Sequence, residues 1–202
     1  LNGEMLLHRA VYNRIVKQFN KGVPLPCNVV TYSDAPAGSG LGTSSTMVVA
    51  ILGAFKEWLN LPLGEYELAH LAFEIERLEL SLAGGKQDQY CSSYGGVNVM
   101  EFGKEVKVTP LLSTSYLYKV LPCLSLFYIG NNRKSPKIQE GLRNITTEQK
   151  ENLDKIKIIA FEAINNIEDP EKIGRLLDLS WKHKKLSNKG VTNTNIDKIY
   201  DR

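Results

Sequence analysis

"DAPAGSGLGTSSTMVVAILGAF", residues 34–55, brings Gly38, Gly40 and Gly42 close together and follows them with the consecutive hydroxyls Thr43, Ser44, Ser45 and Thr46. An apolar, helix-like stretch, Met47 to Phe55, comes next. A helix N-terminus carries unpaired backbone N–H groups and a partial positive charge, so it attracts anions. Glycines ahead of it let the backbone approach a ligand closely and adopt positive φ. Hydroxyls in the first turn can cap the helix, bond phosphate oxygens or coordinate Mg²⁺. The same residues also fit a plain strand-to-helix connection in which Thr43 or Ser44 is only a cap. Two common phosphate loops do not match: no lysine follows these glycines as in G-x-x-x-x-G-K-[ST], and Thr43 stands where G-x-G-x-x-G needs its third glycine.

Upstream, residues 4–20 set Leu7, Val11, Ile15 and Phe19 four apart, which predicts a helix with one buried face. Lys21-Gly22 closes it, and Pro24 and Pro26 prevent its return. "CNVVTYSD", residues 27–34, reads as a strand leading into the glycine loop. Downstream of the helix at about 44–59, residues 63–80 predict another, with Leu68, Leu71, Ala72, Ile75 and Leu78 facing the core. Gly84-Gly85 then precedes a short helix, "KQDQYCSSY", that Gly95-Gly96 ends. "VNVMEF", "EVKVTP" and "LSLFYIG" have strand character, the first two joined by a turn at Gly103-Lys104. From Ser135 the pattern is helical, at about 136–144, 147–167, 170–187 and 195–202, with Asp169-Pro170 starting the third of these. The order predicts an α+β protein with a helical second half, divided into residues 1–112 and 113–202.

Of 202 residues, 43% are hydrophobic and 23% charged, as in an ordinary globular protein. A net charge of +3 with scattered basic residues gives no case for nucleic acid. The longest apolar run is too short to span a bilayer, so no membrane is expected. Cys27, Cys91 and Cys123 are isolated, without metal or disulfide spacing, and no signal peptide pattern precedes them. Reduced thiols in a cytoplasmic protein are the expectation. His8, His70 and His183 show no ligand spacing.

The loop Pro36-Ala37-Gly38-Ser39-Gly40-Leu41-Gly42-Thr43-Ser44-Ser45 resembles the phosphate-binding motif P-x-x-x-G-L-G-S-S-A of the GHMP kinase superfamily. Thr43 replaces a serine and keeps the hydroxyl; Ser45-Thr46 replace small residues. "IERLELSLAGGKQDQY", residues 75–90, resembles the superfamily's acidic segment, in which a glutamate stands upstream of a catalytic aspartate; Glu76 and Asp88 fit. The wording G-G-K-Q-D-Q-Y, then Y-G-G-V-N, looks most like the D-glycero-D-manno-heptose 7-phosphate kinases. Two family segments, R-x-P-x-R-[IL]-S…G-G-G-T-D near the start and G-x-G-x-G-G near the end, do not occur. The chain also opens at Leu1 and stops at Arg202 inside helical patterns, so the central part of a kinase is expected.

The resemblance implies a two-layer fold and an ATP- and Mg²⁺-dependent kinase for a small-molecule sugar phosphate. It would act on the C1 hydroxyl of the heptose 7-phosphate; fucose, galactose or an N-acetylhexosamine, or a non-catalytic sensor, are the alternatives. By the same resemblance, residues 36 and 38–45 (Pro36, Gly38, Ser39, Gly40, Leu41, Gly42, Thr43, Ser44, Ser45) cradle the ATP phosphates. Ser44 and Glu76 hold Mg²⁺. Asp88 is the base for the sugar hydroxyl, and Lys86 supplies positive charge near it. Gly84, Gly85 and Asp88 face the sugar; for its phosphate, the run "GNNRKSPK" offers Arg133, suited to bidentate phosphate binding, with an exposed basic loop capping the next helix as the plain alternative. For Glu76 and Lys86, a solvated helix carboxylate and a surface lysine are the plain alternatives.

Overall fold

The computed structural model describes residues 4–36, 38–111, 114–129 and 145–201. The described residues form two compact units, one up to Pro110 and one from Leu111 onward.

In the first unit, α1 spans Leu6–Phe19 and buries Ala10, Val11 and Ile15, the face that the four-residue spacing predicts. Lys21 and Gly22 turn left-handed, with φ of 51° and 79°, and the Gly22 N–H returns to Val16 O at 2.9 Å, which ends the helix. The next helix, α2, spans Thr43–Leu59 and buries Val48, Val49, Ile51, Leu52 and Phe55. It is followed by α3, Glu65–Phe73. These three helices share one apolar core that includes Ile15, Leu52, Phe55, Leu71 and Ile75. A short helix, α4 (Gln87–Tyr94), leads to the antiparallel pair β1 (Asn98–Phe102) and β2 (Val106–Pro110), with Met100 opposite Val108. A second cluster of Ala69, Tyr90 and Val106 fastens this hairpin and α4 to α3.

α3 does not continue to Leu80 as a regular helix. Glu74–Glu79 is a π turn, marked by the i→i+5 bond from Leu80 N–H to Ile75 O at 3.0 Å. The wider turn shifts the buried face. Ile75 and Glu76 are both fully buried, and Leu78, expected in the core, is 64% exposed. Arg14 of α1 forms ion pairs with Glu74 and Glu79 at either end of this turn.

Two expected strands are not formed. Residues 27–34 and 124–129 have no regular structure, and Val30 and Tyr32 are 91% and 88% exposed. Strand propensity needs a ladder partner to act on, and among the described residues only β1 and β2 pair.

The second unit holds α5 (Thr114–Lys119) with a 3₁₀ turn at Leu121–Cys123, neither of which the sequence pattern announced, and then α6 (Thr147–Asn165), α7 (Pro170–Ser187) and α8 (Thr194–Tyr200). A reciprocal cap starts α6: Gln149 N–H donates to Thr146 Oγ1 at 3.2 Å, and Thr146 N–H donates to Gln149 Oε1 at 2.8 Å. Asp169 caps α7 through Lys172 N–H at 3.1 Å. α6 and α7 pack as a hairpin, joined near one end by Asn152 and His183 at 2.8 Å. The helix expected at 136–144 lies outside the described residues. No helix among the described residues is long and apolar enough to cross a membrane.

Candidate active site

The glycine loop enters α2 through three left-handed residues, Gly38, Gly40 and Gly42, with φ of 78°, 81° and 71°. This conformation is costly for residues with a Cβ, which explains the alternation of glycines. Gly42 is the N-cap and has no side chain to occupy the first-turn N–H groups. The plain capping role is therefore not what Thr43 and Ser44 do. Both lie inside the first turn, and the amides above them stay available to an anion.

The four consecutive hydroxyls each take a different task. Thr43 Oγ1 is buried and has no hydrogen-bond partner among the described residues, and Ser39 Oγ in the loop is in the same state. Ser44 Oγ donates to Glu76 Oε1 at 3.3 Å. Ser45, fully buried, accepts from Gln89 Nε2 at 3.1 Å. Thr46 Oγ1 meets Ser92 Oγ at 2.9 Å and so joins α2 to α4. Buried hydroxyls without partners cost free energy, and two of them beside open helix amides suit a ligand rich in acceptor oxygens.

Glu76 is inward because the π turn puts it there, and π turns recur at functional sites. Its Oε2 accepts from Gln89 Nε2 at 2.5 Å. Its Oε1 faces Ser44 and lies 3.7 Å from Arg77 Nη1. The plain reading of Glu76 as a solvated helix carboxylate is excluded by its complete burial. Arg77 in turn donates from Nε to Gly85 O at 3.2 Å. It passes so close to Gly84 that a Cβ there would come within 2.5 Å of the guanidinium. The two glycines thus let the segment before α4 lie against Arg77.

Asp88 sits in the first turn of α4, exposed, with its carboxylate against the loop: a Cβ on Gly42 would stand 3.1 Å from Asp88 Cγ. Lys86 does not pair with Asp88 among the described residues; its ammonium lies over the Phe73 ring, 4.9 Å from the centroid. Pro36 and Leu41 are exposed at the loop's edge, where Pro36 O accepts from Ser39 N–H at 3.1 Å. Beside the loop and the outer face of α2 opens a largely apolar cavity of about 450 Å³, touched by Leu41, Thr43, Met47 and Val30. Neither Glu76 nor Asp88 lines it. Arg133 lies outside the described residues.

Two predictions arise here. Gly42→Ala adds left-handed strain of about 1–2 kcal/mol and pushes on Asp88, whereas Gly40→Ala, with nothing within 4 Å of its Cβ, adds strain alone. Urea melts should show similar destabilisation for the two variants, with the larger loss of turnover in Gly42→Ala. The second concerns Cys91. Burial of its thiol, and then the Asp88 carboxylate, hold its pKa above the ordinary thiol value. Less thiolate at a given pH means slower attack on iodoacetamide. Its alkylation midpoint should lie above that of a free cysteine peptide and move down in Asp88→Asn.

An anion-ready helix start, a buried carboxylate reaching its second residue and an exposed carboxylate against its loop thus meet at the start of α2. Over residues 6–96 the chain matches the family described as GHMP kinases N terminal domain. It is 42% identical over 207 residues to the D-glycero-alpha-D-manno-heptose 7-phosphate kinase of Campylobacter jejuni, across 98% of this chain and 60% of that protein. Identity to the L-fucokinase/L-fucose-1-P guanylyltransferase of Bacteroides fragilis is 27%, across 92% of this chain and 20% of that protein. The crystal structure of a D-glycero-D-manno-heptose 1-phosphate kinase from Bacteroides thetaiotaomicron is similar with a TM-score of 0.67 at 40% identity, covering 92% of this chain and 56% of that one. The chain thus spans 60% or less of the length of each of these relatives. The expected α+β, GHMP kinase-like fold is borne out by this likeness: an α-rich chain with a small sheet.

Proposed function

We propose that this chain carries the phosphate-binding and catalytic centre of an ATP-dependent sugar kinase. Its acceptor is the C1 hydroxyl of D-glycero-D-manno-heptose 7-phosphate, and the product is the 1,7-bisphosphate. The observation that supports this most is the meeting of three motifs: Ser44 of the loop bonded to buried Glu76, with Asp88 packed on Gly42. The named relatives support a heptose phosphate as acceptor, although their names differ over which carbon already carries phosphate.

Phosphoryl transfer is catalysed by positioning and charge neutralisation. The first-turn amides of α2 and the free hydroxyls of Ser39 and Thr43 bind the ATP phosphates. Ser44 and Glu76 would hold Mg²⁺, which supplies neutralisation of phosphate charge. That ion takes oxygen ligands and needs only one or two carboxylates beside the phosphates. This suits a site with no group of three or more acidic, histidine or cysteine side chains among the described residues. Asp88 accepts the proton of the sugar hydroxyl as its oxygen bonds phosphorus and ADP leaves. Gly84 and Gly85, just ahead of Asp88, are the proposed acceptor-side residues, Lys86 the proposed positive charge for the transferring phosphoryl, and Arg133 the proposed partner of the acceptor's phosphate. We propose a division between the two kinase domains at residues 112 and 113, and a cytoplasmic location.

An acceptor panel tests this reading. ADP release in the full chain should be fastest with the heptose 7-phosphate. A strong preference for fucose, galactose or another unphosphorylated sugar would contradict the acceptor, and ATP binding without ADP release on any sugar would favour a sensor.

A further inference from the structure

We propose that Gln89 is a positioning residue that fixes the orientation of the Glu76 carboxylate, and with it the distance between Glu76 and Asp88. The inference rests on the reading of Glu76 as the metal-holding carboxylate. Gln89 is fully buried, and both hydrogens of its amide are used: one on Glu76 Oε2 at 2.5 Å, one on Ser45 Oγ at 3.1 Å. Its Oε1 is buried without a partner among the described residues. The orientation is dictated by Glu76, since a flipped amide would set an oxygen against the carboxylate. One side chain thus links α4, α2 and the π turn.

The consequence is geometric. With Oε2 tied back by Gln89, Oε1 is the oxygen turned to Ser44 and the loop. Asp88, the preceding residue of α4, lies on Gly42. A single helical turn therefore sets both carboxylates against the same loop. A neutral donor suits the position, because a cation there would cancel the charge that Glu76 offers and a carboxylate would repel it. Partners that orient a metal-holding side chain typically affect affinity or activity by about 10- to 100-fold.

The test uses Gln89→Met, which keeps the bulk and removes both donors, in the full chain. Mn²⁺ binding is read by EPR with a non-hydrolysable ATP analogue, beside thermal melting, kcat and the KM for sugar. The expected result is Mn²⁺ affinity weakened by about 10- to 100-fold and a lower kcat, with the sugar KM and the fold retained. Wild-type Mn²⁺ affinity in a folded Gln89→Met would overturn the proposal.

Gln89→Asn decides the matter if the methionine variant does not fold. It keeps a neutral amide in the same place, one methylene shorter, so the bonds to Glu76 Oε2 and Ser45 Oγ are no longer both made. Mn²⁺ affinity should then fall, with the sugar KM and the fold retained. Wild-type Mn²⁺ affinity in a folded Gln89→Asn would overturn the proposal. Glu76→Gln is measured alongside: unchanged Mn²⁺ binding in that variant would defeat the underlying reading of Glu76, whatever Gln89 does.

Discussion

Glu76→Gln is expected to reduce turnover by about 10²- to 10³-fold, the several kcal/mol that a charge-neutralising ion contributes to such a transition state, while leaving the protein folded. The side chain is fully buried, and its partners are the Ser44 hydroxyl, the Gln89 amide and, more distantly, Arg77. Replacing a buried carboxylate by an amide of the same shape removes a desolvated charge. Such changes are often neutral or favourable for stability when hydrogen bonds survive. A merely structural Glu76 would therefore reveal itself by lost melting temperature with turnover retained in proportion to folded protein. The proposed role predicts the reverse: an unchanged melting midpoint, a sharply raised Mg²⁺ requirement and a collapsed rate. Steady-state kinetics across a Mg²⁺ series, beside a thermal melt, separates the two.

The second large effect is that of Asp88→Asn. Asp88 is exposed in the first turn of α4, where a negative charge contributes about 0.3–1 kcal/mol through the helix dipole. The cost in stability should be no greater than that. Loss of the proposed acceptor of the hydroxyl proton should lower kcat by about 10²- to 10⁴-fold. ATP binding should be unchanged or slightly tighter, since the lost charge sits beside the loop proposed to take the phosphates. An acceptor hydroxyl at an anomeric carbon is more acidic than an ordinary alcohol, which favours the lower end of that range. Calorimetry with ATP and a single-turnover rate give the two numbers, and undiminished turnover would remove Asp88 from the mechanism.

Much of this was legible in the chain. The four-residue spacing of Leu7, Val11, Ile15 and Phe19 marks α1, and the glycine-hydroxyl run marks the start of α2, because both signals are local. The π turn is not local. An i→i+5 bond leaves no signature in the pattern of apolar residues, so Leu78 is misassigned to the core, although the place of Glu76 beside the apolar stripe, one turn from Ala72, does allow it to point inward. Residues 27–34 and 124–129 have strand composition, but a strand is made by its partner, and composition does not supply one. The hydroxyl cluster announces an anion site without saying that Ser45 turns away to Gln89 and Thr46 to Ser92. Gln89 and Arg77 were missed for the same reason. Each acts through a contact with a residue distant in sequence or through a close backbone approach, and neither belongs to a residue type that signals chemistry alone.

The most direct measurement is ³¹P NMR of the full chain with ATP, Mg²⁺ and D-glycero-D-manno-heptose 7-phosphate. The account predicts a new anomeric phosphate signal that grows as the γ-phosphate of ATP declines. ATP bound at the loop with no new phosphate ester on the sugar would contradict it.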